Sequence, residues 1–213
     1  MSYKNLSTKK RYILLFVILF CLIGIGCALL KTWNQTPETH LFKAIQLLEK
    51  NQQQKALNQF ILAQKSNDPL TKKISSLYLG RFYHHGLDNI PVNMEKAAFY
   101  YEQAANLGSA EALYTLALLY DAGDKIPENR EKAKTYMTQA AEELPEAQYS
   151  LAVWMERGYF GVPNTRKVVS LYEKAAKAGI QNAMKSLIAI YHSGFGGFPL
   201  NIEREQYWRA RLQ

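Results

Sequence analysis

The sequence predicts an all-α protein, a solenoid of stacked helical hairpins preceded by one membrane-spanning helix, and three observations carry that reading. The first is a repeat: Leu79, Leu116, Leu151 and Leu187 stand 37, 35 and 36 residues apart. Self-similarity at that period marks two-helix units that cannot bury a core singly and must stack. The second is punctuation in register, with Gly86, Gly123, Gly158 and Gly194 seven residues after each leucine, and Pro91, Pro127, Pro163 and Pro199 breaking each unit. The third is Ile13 to Leu30, 18 residues without a charge.

Residues 1–12 form a basic segment, with Lys4, Lys9, Lys10 and Arg11 and no acid. The apolar run of residues 13–30 would span about 27 Å as a helix, just enough for a hydrocarbon core of roughly 30 Å. Tyr12 and Trp33 bracket it as interfacial aromatics do. Because the cations precede the run and only Lys31 directly follows it, the positive-inside rule keeps the N-terminus cytoplasmic and exports the rest, to the periplasm if the source is bacterial. Two alternatives also export the repeats: a cleaved signal peptide, with Gly24 and Gly26 before Cys27, or a lipoprotein acylated at Cys27. The sequence GIGC lacks the branched apolar residue expected three before a lipidated cysteine, and the run continues through Leu30, which a spanning helix needs and a signal peptide does not.

After a linker at residues 31–37, the repeat domain covers 38–213. Residues 38–68 read as a degenerate capping hairpin: Leu41, Ala44, Ile45 and Leu48 keep helical spacing, as do Ala56, Phe60 and Ala63, with Asn51 to Lys55 as the turn and Asp68-Pro69 as the break. Repeats follow at 70–109, 110–145 and 146–181, with a truncated fourth at 182–213. Four residues after each leucine stand Tyr83, Tyr120, Met155 and Tyr191. Asn93, Asn129, Asn164 and Asn201 sit where second helices should begin, the side chain suited to capping free N–H groups. The pairs Ala104-Ala105, Ala140-Ala141 and Ala175-Ala176 are small enough for helices to meet closely, and turns follow at Gly108, Leu144-Pro145 and Gly179.

SSLYLGRFYHHG with EKAAFYYEQAANLG, ALYTLALLYDAG with EKAKTYMTQAAEEL, and AQYSLAVWMERG with RKVVSLYEKAAKAG together resemble the Sel1-like repeat of the tetratricopeptide superfamily. The resemblance implies a right-handed α/α solenoid and a role in binding proteins or peptides without catalysis. The departures are Asn in place of the loop Asp, Leu144 where glycine is usual, and Glu205 and Arg211 in the fourth unit. Some exported relatives are linked with β-lactam or peptidoglycan compounds, which leaves a cell-envelope enzyme or cell-wall-compound binder as the alternative.

Charge narrows the partners. The chain is +8, but residues 1–31 supply five cations and no acid, leaving +3 for residues 32–213, too little to predict a nucleic-acid face. Both cysteines lie in the apolar run, so no disulfide staples the repeats. His40 in the linker region, the adjacent His84 and His85, and His192 show no metal-ligand spacing, and neither a phosphate loop nor a nucleophile elbow is present. No metal, cofactor or catalytic residue is therefore expected. The candidate site is the stripe on the first helices where the repeats disagree, Tyr78, Arg81 and His85, then Thr115, Leu118 and Ala122, then Ser150, Val153 and Arg157. In this superfamily the first helices line the concave surface, and a partner would lie there.

Overall fold

The computed structural model describes residues 35–87, 90–123 and 125–212. The segment 13–30, and with it the expected anchor and the Cys27 lipidation site, lies outside the described residues. Among those described, no helix is long and apolar enough to cross a membrane. Among the described residues ten α-helices run in order: α1 Pro37–Glu49, α2 Gln53–Ala63, α3 Pro69–His85, α4 Met94–Asn106, α5 Ala110–Ala122, α6 Arg130–Ala140, α7 Pro145–Glu156, α8 Thr165–Lys177, α9 Gln181–Ser193 and α10 Ile202–Leu212. They fall into two compact units divided between Ser75 and Ser76.

In the first unit α1 and α2 form an antiparallel hairpin. Thr36 caps α1, its hydroxyl accepting from the Thr39 N–H, and Pro37 occupies the first turn, where a missing donor costs nothing. Ala44 on α1 and Ala56, Leu57, Phe60 and Ala63 on α2 are the buried apolar residues of the hairpin. The turn is shorter than the sequence suggests, because Asn51 at φ 55° reverses the chain and α2 begins at Gln53. His40 is not a linker residue either: it lies in α1, its ring nitrogen 2.7 Å from Gln59 Oε1. Ser66 donates to Glu38 at 2.6 Å, and Asp68 accepts from the Thr71 N–H at 2.7 Å, capping α3 ahead of Pro69.

The second unit repeats one construction. Leu79, Leu116, Leu151 and Leu187 are all buried, as are Ala97, Ala133 and Val168 of the second helices. Each expected asparagine caps its helix: Asn93, Asn129, Asn164 and Asn201 accept from the N–H of Lys96, Lys132, Lys167 and Arg204 at 2.8, 2.9, 3.1 and 2.9 Å. In three units the same residue also clips the hairpin shut. The N–H groups of Asn93, Asn129 and Asn201 donate to the carbonyls of Tyr83, Tyr120 and Tyr191 at 2.8, 2.9 and 3.0 Å. Ala104, Ala140 and Ala175 are fully buried, and the second alanine of the pair is buried at Ala141 and Ala176 but only half-buried at Ala105.

Two departures from the repeat now have causes. After α4 and α8 the chain turns through Gly108 and Gly179, both at positive φ. After α6 the Leu144 N–H bonds back to Ala140 O and Leu144 itself is extended at φ −99°, leading directly into Pro145. The stretch from Ala140 to Ala147 is one residue shorter than those from Ala104 to Ala112 and from Ala175 to Ala183, no left-handed residue is needed, and the spacing from Leu116 to Leu151 falls to 35. In the fourth unit the buried Glu205 is matched by Arg209 Nε at 2.8 Å and the His192 ring at 3.1 Å.

Candidate functional site

Two members of the stripe engage residues of a neighbouring unit's first helix. Arg81 on α3 donates through Nε to Glu111 Oε1 on α5 at 2.9 Å, with a second contact through its terminal nitrogen, and its guanidinium lies 5.0 Å from the Tyr78 ring centroid. Burial works against the Arg81 charge, but the Glu111 carboxylate more than offsets it and the guanidinium pKa is raised. One repeat on, the hydroxyls of Tyr114 and Ser150 are 3.2 Å apart and bridge α5 to α7. Part of the expected recognition stripe is therefore also the polar seam between adjacent first helices.

The remaining members differ in availability. Thr115 donates to Glu111 O within its own helix at 3.0 Å. Val153 is half-buried against the hydrophobic core. Leu118 stays 39% exposed, and Ala122, His85 and Arg157 are exposed, Arg157 at the C-terminal cap of α7. His84 and His85 are not simply two solvated helix-end rings. They stack at 4.6 Å, and His84 is half-buried with Nδ1 3.4 Å from the Tyr101 hydroxyl. Burial first, then the neighbouring His85 and Lys125, lowers the His84 pKa. Among the described residues no cluster of three His, Cys, Asp or Glu side chains is placed to hold a metal ion.

A second recurring constellation was not anticipated from sequence. Tyr120 donates to Glu102 of the preceding unit's second helix at 2.8 Å, and Lys132 donates to the Tyr120 hydroxyl at 3.1 Å while lying 3.6 Å from the same carboxylate. Two units later Tyr191 donates to Glu173 at 2.9 Å, and Arg204 reaches that carboxylate at 2.6 Å. Each tyrosine lies 18 residues after its glutamate. Where the tyrosine position holds Met155, the glutamate position holds Thr138, so the triad is absent as a set. That joint is bridged differently, by Tyr159 donating to Asp121 at 2.6 Å. The paired exchange of Tyr with Glu for Met with Thr was the signal available in the sequence.

Comparison with known proteins places this geometry. The Sel1 repeat matches residues 75–109, 110–143 and 145–180. A Sel1 repeat protein from Oxalobacter formigenes is similar in structure at a TM-score of 0.73 and 22% identity, covering 85% of this chain and 74% of that one. Another solved structure, c5321, a protective antigen present in uropathogenic Escherichia coli strains displaying an SLR fold, gives a TM-score of 0.48 at 18% identity, covering 85% of this chain and 46% of that one. No curated protein matches the chain. Three segments thus match the Sel1 repeat, and the fold is the Sel1-like arrangement of helical hairpins.

Proposed function

We propose that this chain is a non-enzymatic interaction scaffold, held at a membrane by residues 13–30 with its repeats exported, that binds a protein or peptide partner across its first helices. The observation that carries the reading is the side-by-side linkage of α3, α5 and α7. Arg81–Glu111 and Tyr114–Ser150 join neighbouring units, so that the exposed His85, Leu118 and Arg157 are presented one after another by adjoining helices. A recurring surface of this kind suits an extended ligand, anchored by a few aromatic, aliphatic and arginine contacts. The Sel1-like fold is consistent with that role.

A photo-crosslinking amino acid at Leu118 in the full chain tests it, with one at Ser170 on α8 as the control. A discrete adduct from Leu118 but not from Ser170, lost when Arg157 is changed to Glu, is the expected result. Equal, diffuse labelling from both positions sinks the assignment. Topology is read separately: a reporter active only outside the cytoplasm should work when fused after Gln213, and the full-length product should resist carbonate extraction. A product shorter by about 26 residues means cleavage before Cys27, and labelled palmitate in it selects the lipoprotein. A reporter that works only in the cytoplasm overturns export.

A further inference from the structure

The +3 of residues 32–213 is not evenly spread. Residues 157–213 carry nine lysines or arginines against three glutamates, whereas residues 32–156 carry twelve against fifteen acids. Two of those three glutamates are already engaged, Glu173 by Arg204 and Glu205 by Arg209. The excess concentrates on α8. Arg166, Lys167, Lys174 and Lys177 are all exposed, and none of them forms an ion pair among the described residues. Arg166, Ser170, Lys174 and Lys177 follow helical spacing and make one row roughly 16 Å long on a single face.

At the N-terminal end of that row lie exposed aliphatic side chains. Val162 is 96% exposed, Leu200 66% and Ile202 70%. Thr165 donates to Gly196 O at 3.0 Å, which holds the loop before α8 beside the loop before α10. A cationic row continued by aliphatic tips is the chemistry of a surface that rests on anionic lipid: the cations meet phosphate headgroups while the tips enter the headgroup boundary. A nucleic-acid phosphate backbone would use the cations but leave the aliphatic tips without a partner.

We propose that the outer face of α8, with Val162, Leu200 and Ile202, docks on a bilayer carrying anionic phospholipid headgroups. This surface is separate from the first-helix stripe and does not depend on what that stripe binds. The full chain, incubated with nanodiscs of phosphatidylcholine alone or with phosphatidylglycerol added, is read by hydrogen exchange, which reports the docked peptides whether or not residues 13–30 insert. Peptides covering Val162–Lys177 and Pro199–Ile202 are expected to exchange more slowly on the anionic discs only.

Each cation beside such a surface is worth about fivefold in affinity. The variant Arg166→Glu, Lys167→Glu, Lys174→Glu and Lys177→Glu should therefore abolish the protection while leaving the helical circular dichroism unchanged. Val162→Asp with Leu200→Asp is a second variant that spares the cations and should weaken protection at the same peptides. Identical exchange on neutral and anionic discs overturns the proposal. So does binding of duplex DNA, abolished by the four reversals, without lipid protection. Failure of the Leu118 crosslink would leave this result unaffected, and failure here would leave the crosslink unaffected.

Discussion

Raising the pH should dismantle the repeats through their buried tyrosines. Burial is the main cause that pushes Tyr101 and Tyr191 up to about 12, with Glu173 reinforcing it at Tyr191 and Arg81 opposing it at Tyr101. A folded pKa above the unfolded one means that the neutral phenol is favoured in the fold. The stabilisation is complete below the ordinary tyrosine value of about 10 and is lost as the pH climbs from there toward about 12. At about pH 11 linkage gives a loss of about 1.4 kcal/mol per tyrosine, about 3 kcal/mol for the two. Urea titration of the full chain in detergent, followed by circular dichroism at about pH 7 and about pH 11, gives the loss directly, and phenolate absorbance gives the titration. Lysine deprotonation also acts in this range, so the deciding comparison is with Tyr101→Phe and Tyr191→Phe. Tyr101→Phe forfeits only the 3.4 Å contact with His84 and should cost little at neutral pH, yet it should remove about half of the two-tyrosine alkaline loss. If both phenylalanine variants lose as much stability as the parent, or if all tyrosines ionise near about 10 without unfolding, burial does not set these pKa values.

Ala104→Leu forces a larger side chain into a fully buried contact and should cost about 1 to 3 kcal/mol, with Ala105→Leu, half-buried, costing less; a reversed order in urea midpoints would show that the register is wrong. Asn129→Ala removes the cap of α6 and should cost about 1 kcal/mol in the same assay. Gly123→Ala places a Cβ at φ 64° and 2.8 Å from Glu128 Cβ, and a loss of about 1 kcal/mol or more is expected, an unchanged midpoint arguing against the left-handed cap. The Glu205 carboxyl pKa is lowered by Arg209 first and His192 next, so its contribution holds above the ordinary carboxylate range and fades as the pH falls through the folded value; Glu205→Gln should flatten the acid side of the thermal-stability profile.

What the sequence made legible was whatever the repeat writes more than once. Leucines and asparagine caps recur in four units and alanine pairs in three, because the units solve the same packing and capping problem, so copies in register expose them without coordinates. The departures were harder to read because each is compensated by a residue elsewhere in the chain. Leu144 replaces a glycine because the turn before it loses a residue, which only the Leu144 to Ala140 hydrogen bond reveals. Glu205 in an alanine position looked like decay at the end of the array, but Arg209 and His192 hold its carboxylate in place. The stripe was identifiable as a place of disagreement, yet periodicity could not separate Arg81, engaged by Glu111 of the next unit, from Arg157, which is exposed.

The same distinction bears on where binding chemistry lies. In a repeat array a polar side chain that recurs is suspect as a ligand contact, since its partner is supplied by a neighbouring copy: Tyr120 and Tyr191 look like surface hydroxyls but close triads with Glu102 and Glu173 of the preceding units. A side chain that breaks the pattern and finds no compensating residue is better placed to meet something outside the chain. Arg166, Lys174 and Lys177 on α8 answer that description, for the corresponding positions of α4 hold Glu95, Gln103 and Asn106. Averaging charge over residues 32–213 hid this row, because the acidic units before it cancel its excess. Stacking preserves position along the array, so charges separated in sequence by several repeats stay separated on the folded surface, and a net value near zero can conceal a face capable of holding an anionic ligand.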